Sequence, residues 1–213
     1  MKLLSHLLTD DPASPRLTVY NESTGARLDF SAQTLDNWVA KIANFLEEEL
    51  EIDEAISIQL PPTWQAAVIA LGSLAAGPRY SFGPLDDAQA VFSDHAQELP
   101  DGVDLVMVND DPFGRGVEET GGELPVGAID FGPTVRFYGD QYFGETTALP
   151  ELINTDLAPQ RYLSTGWKNA EEFRRAVLEP LAAGGSAVIV TGPATPERLD
   201  AIAEAERVDE RLT

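Results

Sequence analysis

Residues 31 to 77, SAQTLDNWVAKIANFLEEELEIDEAISIQLPPTWQAAVIALGSLAAG, read as helix, strand, helix, and that order decides the class of the fold. Leu35, Trp38, Val39, Ile42, Phe45, Leu46 and Leu50 recur at spacings of three and four, so one face of the first helix is apolar and has to be covered. Ser31 is its natural cap, because a serine hydroxyl can accept from a backbone N–H two or three residues on. Ala55, Ile56, Ser57, Ile58, Gln59 and Leu60 form a short β-branched run that Pro61 and Pro62 close. From Trp64 to Ala76 the chain turns helical again. Ala66, Ala67, Val68, Ala70, Leu71, Leu74 and Ala75 make this second helix apolar nearly all round, hence buried, and Gly77 stops it.

Upstream, Leu3, Leu4, Leu7 and Leu8 predict a short amphipathic helix ending before Asp10. Arg16 to Asn21 and Arg27 to Phe30 predict a hairpin. Downstream, Tyr80 to Phe82, Ala88 to Phe92 and Leu105 to Val108 are candidate strands, with a short helical piece near His95. Residues 109–128 and 140–160 read as irregular loops, and Pro133 makes 129–138 an extended edge element. Glu171 to Ala183 is a helix with Phe173, Val177, Leu178 and Leu181 inward. Ser186 to Val190 is a buried strand, Thr195 to Glu206 a closing helix, and 207–213 a frayed tail. Alternating strands and helices predict an α/β fold, a mostly parallel sheet flanked by helices, in a single domain over 1–213.

The chain carries 36 acidic against 14 basic residues, a formal charge of -22. Such a field repels nucleic acid and anionic lipid and favours cationic partners. With no cysteine and only His6 and His95, disulfides, thiolate metal sites, a cysteine nucleophile and multi-histidine centres are excluded. Met1 to Asp10 runs from a leucine-rich start into acids and reads neither as a signal peptide nor as a membrane span, so a cytoplasmic location is the expectation.

Ser93, Asp94 and His95 have the residue types of a hydrolytic triad, but sequence neighbours point in different directions and are not expected to form a relay. His6 reads as a solvated or packed side chain. Glu47, Glu48, Glu49 and Glu51 crowd a helix end whose dipole disfavours anions, so a solvated, slightly frayed acidic cap is expected there rather than a metal site. Asp110 and Asp111, like Asp86 and Asp87, are turn or capping residues by pattern. Ser164, Thr165, Gly166 and Lys168, just ahead of a helix starting at Ala170, could bind an anion through backbone N–H groups and the Lys168 ammonium. The other reading is an ordinary loop and helix cap with Trp167 packed on the sheet edge.

The order of the pieces resembles the amino-terminal subdomain of the adenylate-forming superfamily, which includes the acyl-CoA synthetases. Leu28, Asp29, Phe30, Ser31 and Leu35 resemble its strand and helix start, L-T-Y-x-E-L, and Ile42 to Leu46 its L-A-x-x-L. Ile56 to Pro61, Trp64 to Gly77 and Ala90 to Asp94 follow its next strands and helix, and Leu178 to Val190 resembles P-L-x-x-G-x-x-V-V. Along its length the sequence is similar to a short actinobacterial family. The resemblance implies the fold. It also implies a loss, because the phosphate-gripping loop T-S-G-T-T-G-x-P-K-G is absent and Ser164 to Lys168 stands in its place as a short remnant. The Y-G-x-T-E motif, the T-G-D segment and the carboxy-terminal lid with its lysine are missing too. The expectation is a non-catalytic binding or interaction module that needs no cofactor and is paired with another protein chain. The alternative is a half-enzyme that completes an acyl-adenylating site with a separate chain and takes ATP or AMP with Mg.

Overall fold

Capping and packing chemistry set where the elements begin. The computed structural model describes residues 2–9 and 11–212; Met1, Asp10 and Thr213, which bound the amino-terminal reading and the expected tail, lie outside the described residues. In chain order come α1 (Ser5–Leu8), β1 (Pro15–Asn21), β2 (Ala26–Ser31), α2 (Ala32–Asn44) with a π-helical turn (Phe45–Glu49), β3 (Ala55–Gln59) and α3 (Trp64–Ala76). Then follow β4 (Arg79–Phe82), β5 (Ala90–Ser93), β6 (Asp104–Met107), a 3-10 turn (Glu118–Thr120), β7 (Ile129–Asp130), α4 (Phe131–Arg136) and α5 (Leu149–Leu152). The chain ends with β8 (Arg161–Ser164), α6 (Ala170–Phe173), a second π-helical turn (Arg174–Leu178), α7 (Glu179–Ala182), β9 (Ser186–Thr191), α8 (Pro196–Ala205) and β10 (Glu210–Arg211). Where a single domain was expected, internal contacts gather into two compact units, Asn37–Thr146 and Lys2–Asp36 with residues 147–212.

The 37–146 unit holds a parallel sheet in the order β4-β3-β5-β6-β7. α3 starts where the Thr63 hydroxyl accepts from the Ala66 N–H at 3.3 Å, and it stops at Gly77, whose φ of +110° a side chain would resist. As its composition predicts, α3 is buried nearly all round. Trp38 and Trp64 meet edge to face at 4.8 Å, and Phe92 lies between Phe45 and Phe131, each at 6.4 Å.

Three expectations change here. Glu47, Glu48 and Glu49 do not fray: the helix widens by one residue, Leu50 N–H reaching Phe45 O at 3.2 Å, and Tyr138 donates to Glu49 at 2.9 Å while Tyr142 donates to Glu47. Burial, reinforced by that Glu49 carboxylate, pushes the Tyr138 hydroxyl up to about 12. The extended element expected over 129–138 shrinks to two residues of strand and then becomes α4, since Pro133 falls in a first turn that needs no N–H from it. No helix forms near His95.

The 109–128 loop is ordered by carboxylates. Asp111 Oδ1 accepts from the N–H groups of Phe113 (2.9 Å) and Arg115 (3.0 Å), and its Oδ2 takes the Arg115 guanidinium at 2.8 Å. That guanidinium holds the Asp111 carboxyl below its ordinary range. Asp111→Ala is expected to cost about 1.5–3 kcal/mol locally, read as faster hydrogen exchange at Phe113 and Arg115; unchanged protection would mean that the loop is held otherwise.

In the second unit the sheet order is β10-β8-β9-β1-β2, parallel except for the β1–β2 hairpin. The Ser31 hydroxyl accepts from Thr34 N–H at 3.1 Å, the expected cap. Phe173, Val177, Leu178 and Leu181 are buried, and α8 lays Ile202 against Tyr20, Leu163, Val188 and Val190. His6 is half-buried and donates from Nε2 to Leu181 O at 2.8 Å. The frayed tail is corrected: β10 pairs with β8, and Leu212 N–H donates to Leu163 O at 2.8 Å. β8, which the sequence reading passed over, supplies the template. Among the described residues no helix is long and apolar enough to cross a membrane.

Candidate functional site

Ser164 closes β8 and is buried, while Thr165 and Lys168 are exposed and Gly166 takes a left-handed φ of +97° that turns the chain out of the sheet. Trp167 packs inward, edge to face with Phe173 at 4.9 Å. The backbone donors a phosphate would use face a carboxylate. Lys168 N–H donates to Glu172 Oε2 at 2.7 Å, and Asn169 Nδ2 donates to Glu172 Oε1 at 3.1 Å. In return Glu172 N–H donates to Asn169 Oδ1 at 2.9 Å, a reciprocal cap. An incoming phosphate would meet the Glu172 anion, and only Lys168 contributes a cation, so the fit to ATP or AMP is poor. The Asn169-x-x-Glu172 spacing was readable as a capping pattern.

The other unit holds a place that the sequence reading missed. In the order β4-β3-β5-β6-β7 the chain steps to one side of β3 and then to the other, so a crevice opens beyond the carboxyl ends of β3 and β5. A cleft there of about 20 Å³, open to solvent, is lined by Leu60, Pro61, Thr63, Asp94, Asn109 and Asp110 among others. It is smaller than the roughly 300–1,000 Å³ of ordinary ligand sites, too small to enclose a nucleotide. Beside it the Gln65 amide donates to Asn109 O at 2.9 Å and Asp111 O at 3.1 Å. The only signal for this cleft in the sequence is that Pro61, Asp94 and Asn109 each follow a strand; it becomes a site only once strand order is known.

At its edge the Ser93, Asp94 and His95 side chains do meet, yet on one nitrogen. His95 Nδ1 lies 3.3 Å from Ser93 Oγ and 2.8 Å from Asp94 Oδ1. A relay needs serine and carboxylate on opposite ring nitrogens. The Ser93 hydroxyl also donates to His95 O at 2.9 Å and is fully buried, so it is a turn residue, not a nucleophile. Among the described residues no group of three or more His, Asp or Glu could hold a metal ion.

No family model matches the chain. In solved structures the chain is similar to an acyl-CoA synthetase from Brucella canis, with a TM-score of 0.74 and 16% identity over 99% of this chain and 47% of that one. It is also similar to the acetoacetyl-CoA synthetase from Streptomyces lividans, with a TM-score of 0.70 and 18% identity over 99% of this chain and 42% of that one. These likenesses bear out the adenylate-forming fold, and the chain spans about half the length of the synthetases it matches. A protein of Mycobacterium tuberculosis described as "TIGR03089 family protein" is 34% identical over 222 residues, covering 90% of this chain and 88% of the relative. At that identity, over nearly the full length of both sequences, the chain belongs to the TIGR03089 family.

Proposed function

We propose that this chain is a binding or interaction module built on the adenylate-forming fold, without acyl-adenylating activity of its own, and that its partner is another cytoplasmic protein chain. The observation that carries the reading is Glu172. Its carboxylate occupies the Lys168 N–H and the Asn169 amide at the place where the family fold is expected to grip phosphate, and a glycine-rich loop is missing there. In-line attack on a nucleotide needs a held phosphate and neutralised charge, and a fixed anion at that place opposes both.

The test is pyrophosphate release from ATP by the purified chain, with a panel of carboxylic acids and magnesium, alongside thermal melts with ATP and AMP. Background release and unchanged melts are expected. A ligand at about 100 times its dissociation constant adds about 2.7 kcal/mol, worth roughly 5–10 °C in a chain of this size. A shift of that size, or pyrophosphate above background, would overturn the reading.

A second reading is a half-enzyme, favoured by a fold match that runs over 99% of this chain but 47% of a synthetase. It predicts nucleotide turnover only when a second chain is added.

A further inference from the structure

A solvent-facing strap in the 37–146 unit runs from Phe137 to Phe143. Both phenylalanines are open to water, 91% and 88% exposed, while the five residues between them are tied down. Lys41 donates from Nζ to Tyr138 O and pairs with Asp140 at 2.9 Å. One turn on, the Asn44 amide donates to both Gly139 O (3.2 Å) and Gln141 O (3.0 Å), which folds the strap around it. Tyr138 and Tyr142 turn inward, donating to Glu49 and Glu47, and the Tyr138 ring lies 5.8 Å from Phe45. The strap's polar groups are therefore spent on its own unit, and the two rings are what it offers to the outside. Holding the backbone between them in advance lowers the entropic cost of docking, and aromatic anchors that become buried are the side chains that carry binding energy.

Charge says what docks there. Glu47, Glu48, Glu49 and Asp140 are exposed around the strap, and the cations Lys41 and Arg136 are already paired, with Asp140 and Glu119. A second copy of a chain of charge -22 would bring like charge against like, so self-association through this face is disfavoured. We propose that Phe137 and Phe143 form a docking surface for a protein of opposite charge, one that lays the apolar face of a basic amphipathic helix, flanked by Lys or Arg side chains, on the two rings. The proposal rests on the interaction-module reading and names its surface.

The test titrates the full chain with a synthetic amphipathic Leu/Lys helix, a Leu/Glu helix of the same pattern, and polylysine. Wild type should bind the Leu/Lys helix, with hydrogen-exchange protection over 137–143. The Phe137→Ser/Phe143→Ser variant, which removes only exposed side chains and should melt as wild type does, should bind about tenfold or more weakly. The Leu/Glu helix should not bind. Equal binding by the variant, protection elsewhere, or polylysine binding as tightly as the Leu/Lys helix would overturn the proposal. The exchange footprint on wild type decides the matter even if the variant folds poorly. Pyrophosphate release is a separate readout: its appearance would sink the non-catalytic reading, whereas loss of the footprint would sink only this surface.

Discussion

Replacing Glu206 by alanine is expected to destabilise its unit by about 3 kcal/mol, the low end of the range for breaking a buried ion pair by removing one partner, because Arg27 is 44% exposed and retains Asp29. Just after α8, its side chain is 7% exposed and accepts from Tyr20 Oη at 2.6 Å, Arg27 Nε at 2.8 Å and Arg161 Nη2 at 2.6 Å. Arg161 also donates to Thr18 at 2.8 Å, so the carboxylate joins β1, β2 and β8 through a single group. Without it Arg27 keeps only the Asp29 carboxylate, and the Arg161 guanidinium, 17% exposed, is left with the hydroxyls of Thr18 and Ser186 and no carboxylate. A solvated pair would cost no more than about 1 kcal/mol, so the measured size separates a buried hub from a surface contact.

The same group sets an acid response. Although burial by itself would raise it, hydrogen bonds from Arg27, Tyr20 and Arg161 hold the Glu206 carboxyl down at about 2, against an ordinary 4.5. A depressed carboxyl contributes stability that is whole above the unfolded value and fades as pH falls toward the folded one. Urea midpoints should therefore show a wild-type advantage over Glu206→Ala that is constant above about pH 4.5 and shrinks between there and about pH 2. An advantage that stays flat to pH 2 would mean that packing, not charge, makes the difference.

Gly72→Ala is the second large effect, and magnitudes decide its sign. Alanine is the better helix former by about 1 kcal/mol, so an exposed site would gain. Here the new Cβ would lie 2.2 Å from Ile42 Cγ2 and 2.5 Å from its Cβ, where α3 crosses α2. Ile42 is fully buried, and a β-branched side chain in a helix has essentially one rotamer, so it has no escape. Overpacking of that kind costs about 1–3 kcal/mol, and with a contact as close as this one the upper end applies, leaving a net loss of up to roughly 2 kcal/mol. Adding Ile42→Ala should recover part of it, since the two positions share one space. If Gly72→Ala alone raised the melting temperature, the two helices would have to be free to move apart.

Ser31, Gly77 and Thr195 marked element ends in the sequence because capping is a local matter of one hydroxyl or one left-handed residue. The apolar spacing through Leu35, Val39, Ile42 and Leu46, and the all-round apolar α3, fixed which faces are buried. A helix cap ahead of Ala170 was legible as the alternative reading, and the structure supplies its residues, Asn169 and Glu172. Other features depend on residues far apart in the chain. The carboxylates at Glu47 and Glu49 look like a fraying end until Tyr138 and Tyr142, about ninety residues on, reach back to them. The tail becomes a strand because β8 offers it an open edge, and the cleft beyond β3 and β5 exists because of strand order.

The sequence by itself determined the α/β class, the caps and the buried helix faces, since each follows from residues within a few positions of one another. Only the tertiary structure decided that there are two sheets, that Glu172 takes the Lys168 N–H and the Asn169 amide, and that Phe137 and Phe143 stay outside while Tyr138 and Tyr142 turn in. Those outcomes depend on which distant partners satisfy buried donors and acceptors, and hydrogen bonds across long chain separations leave no period in a sequence.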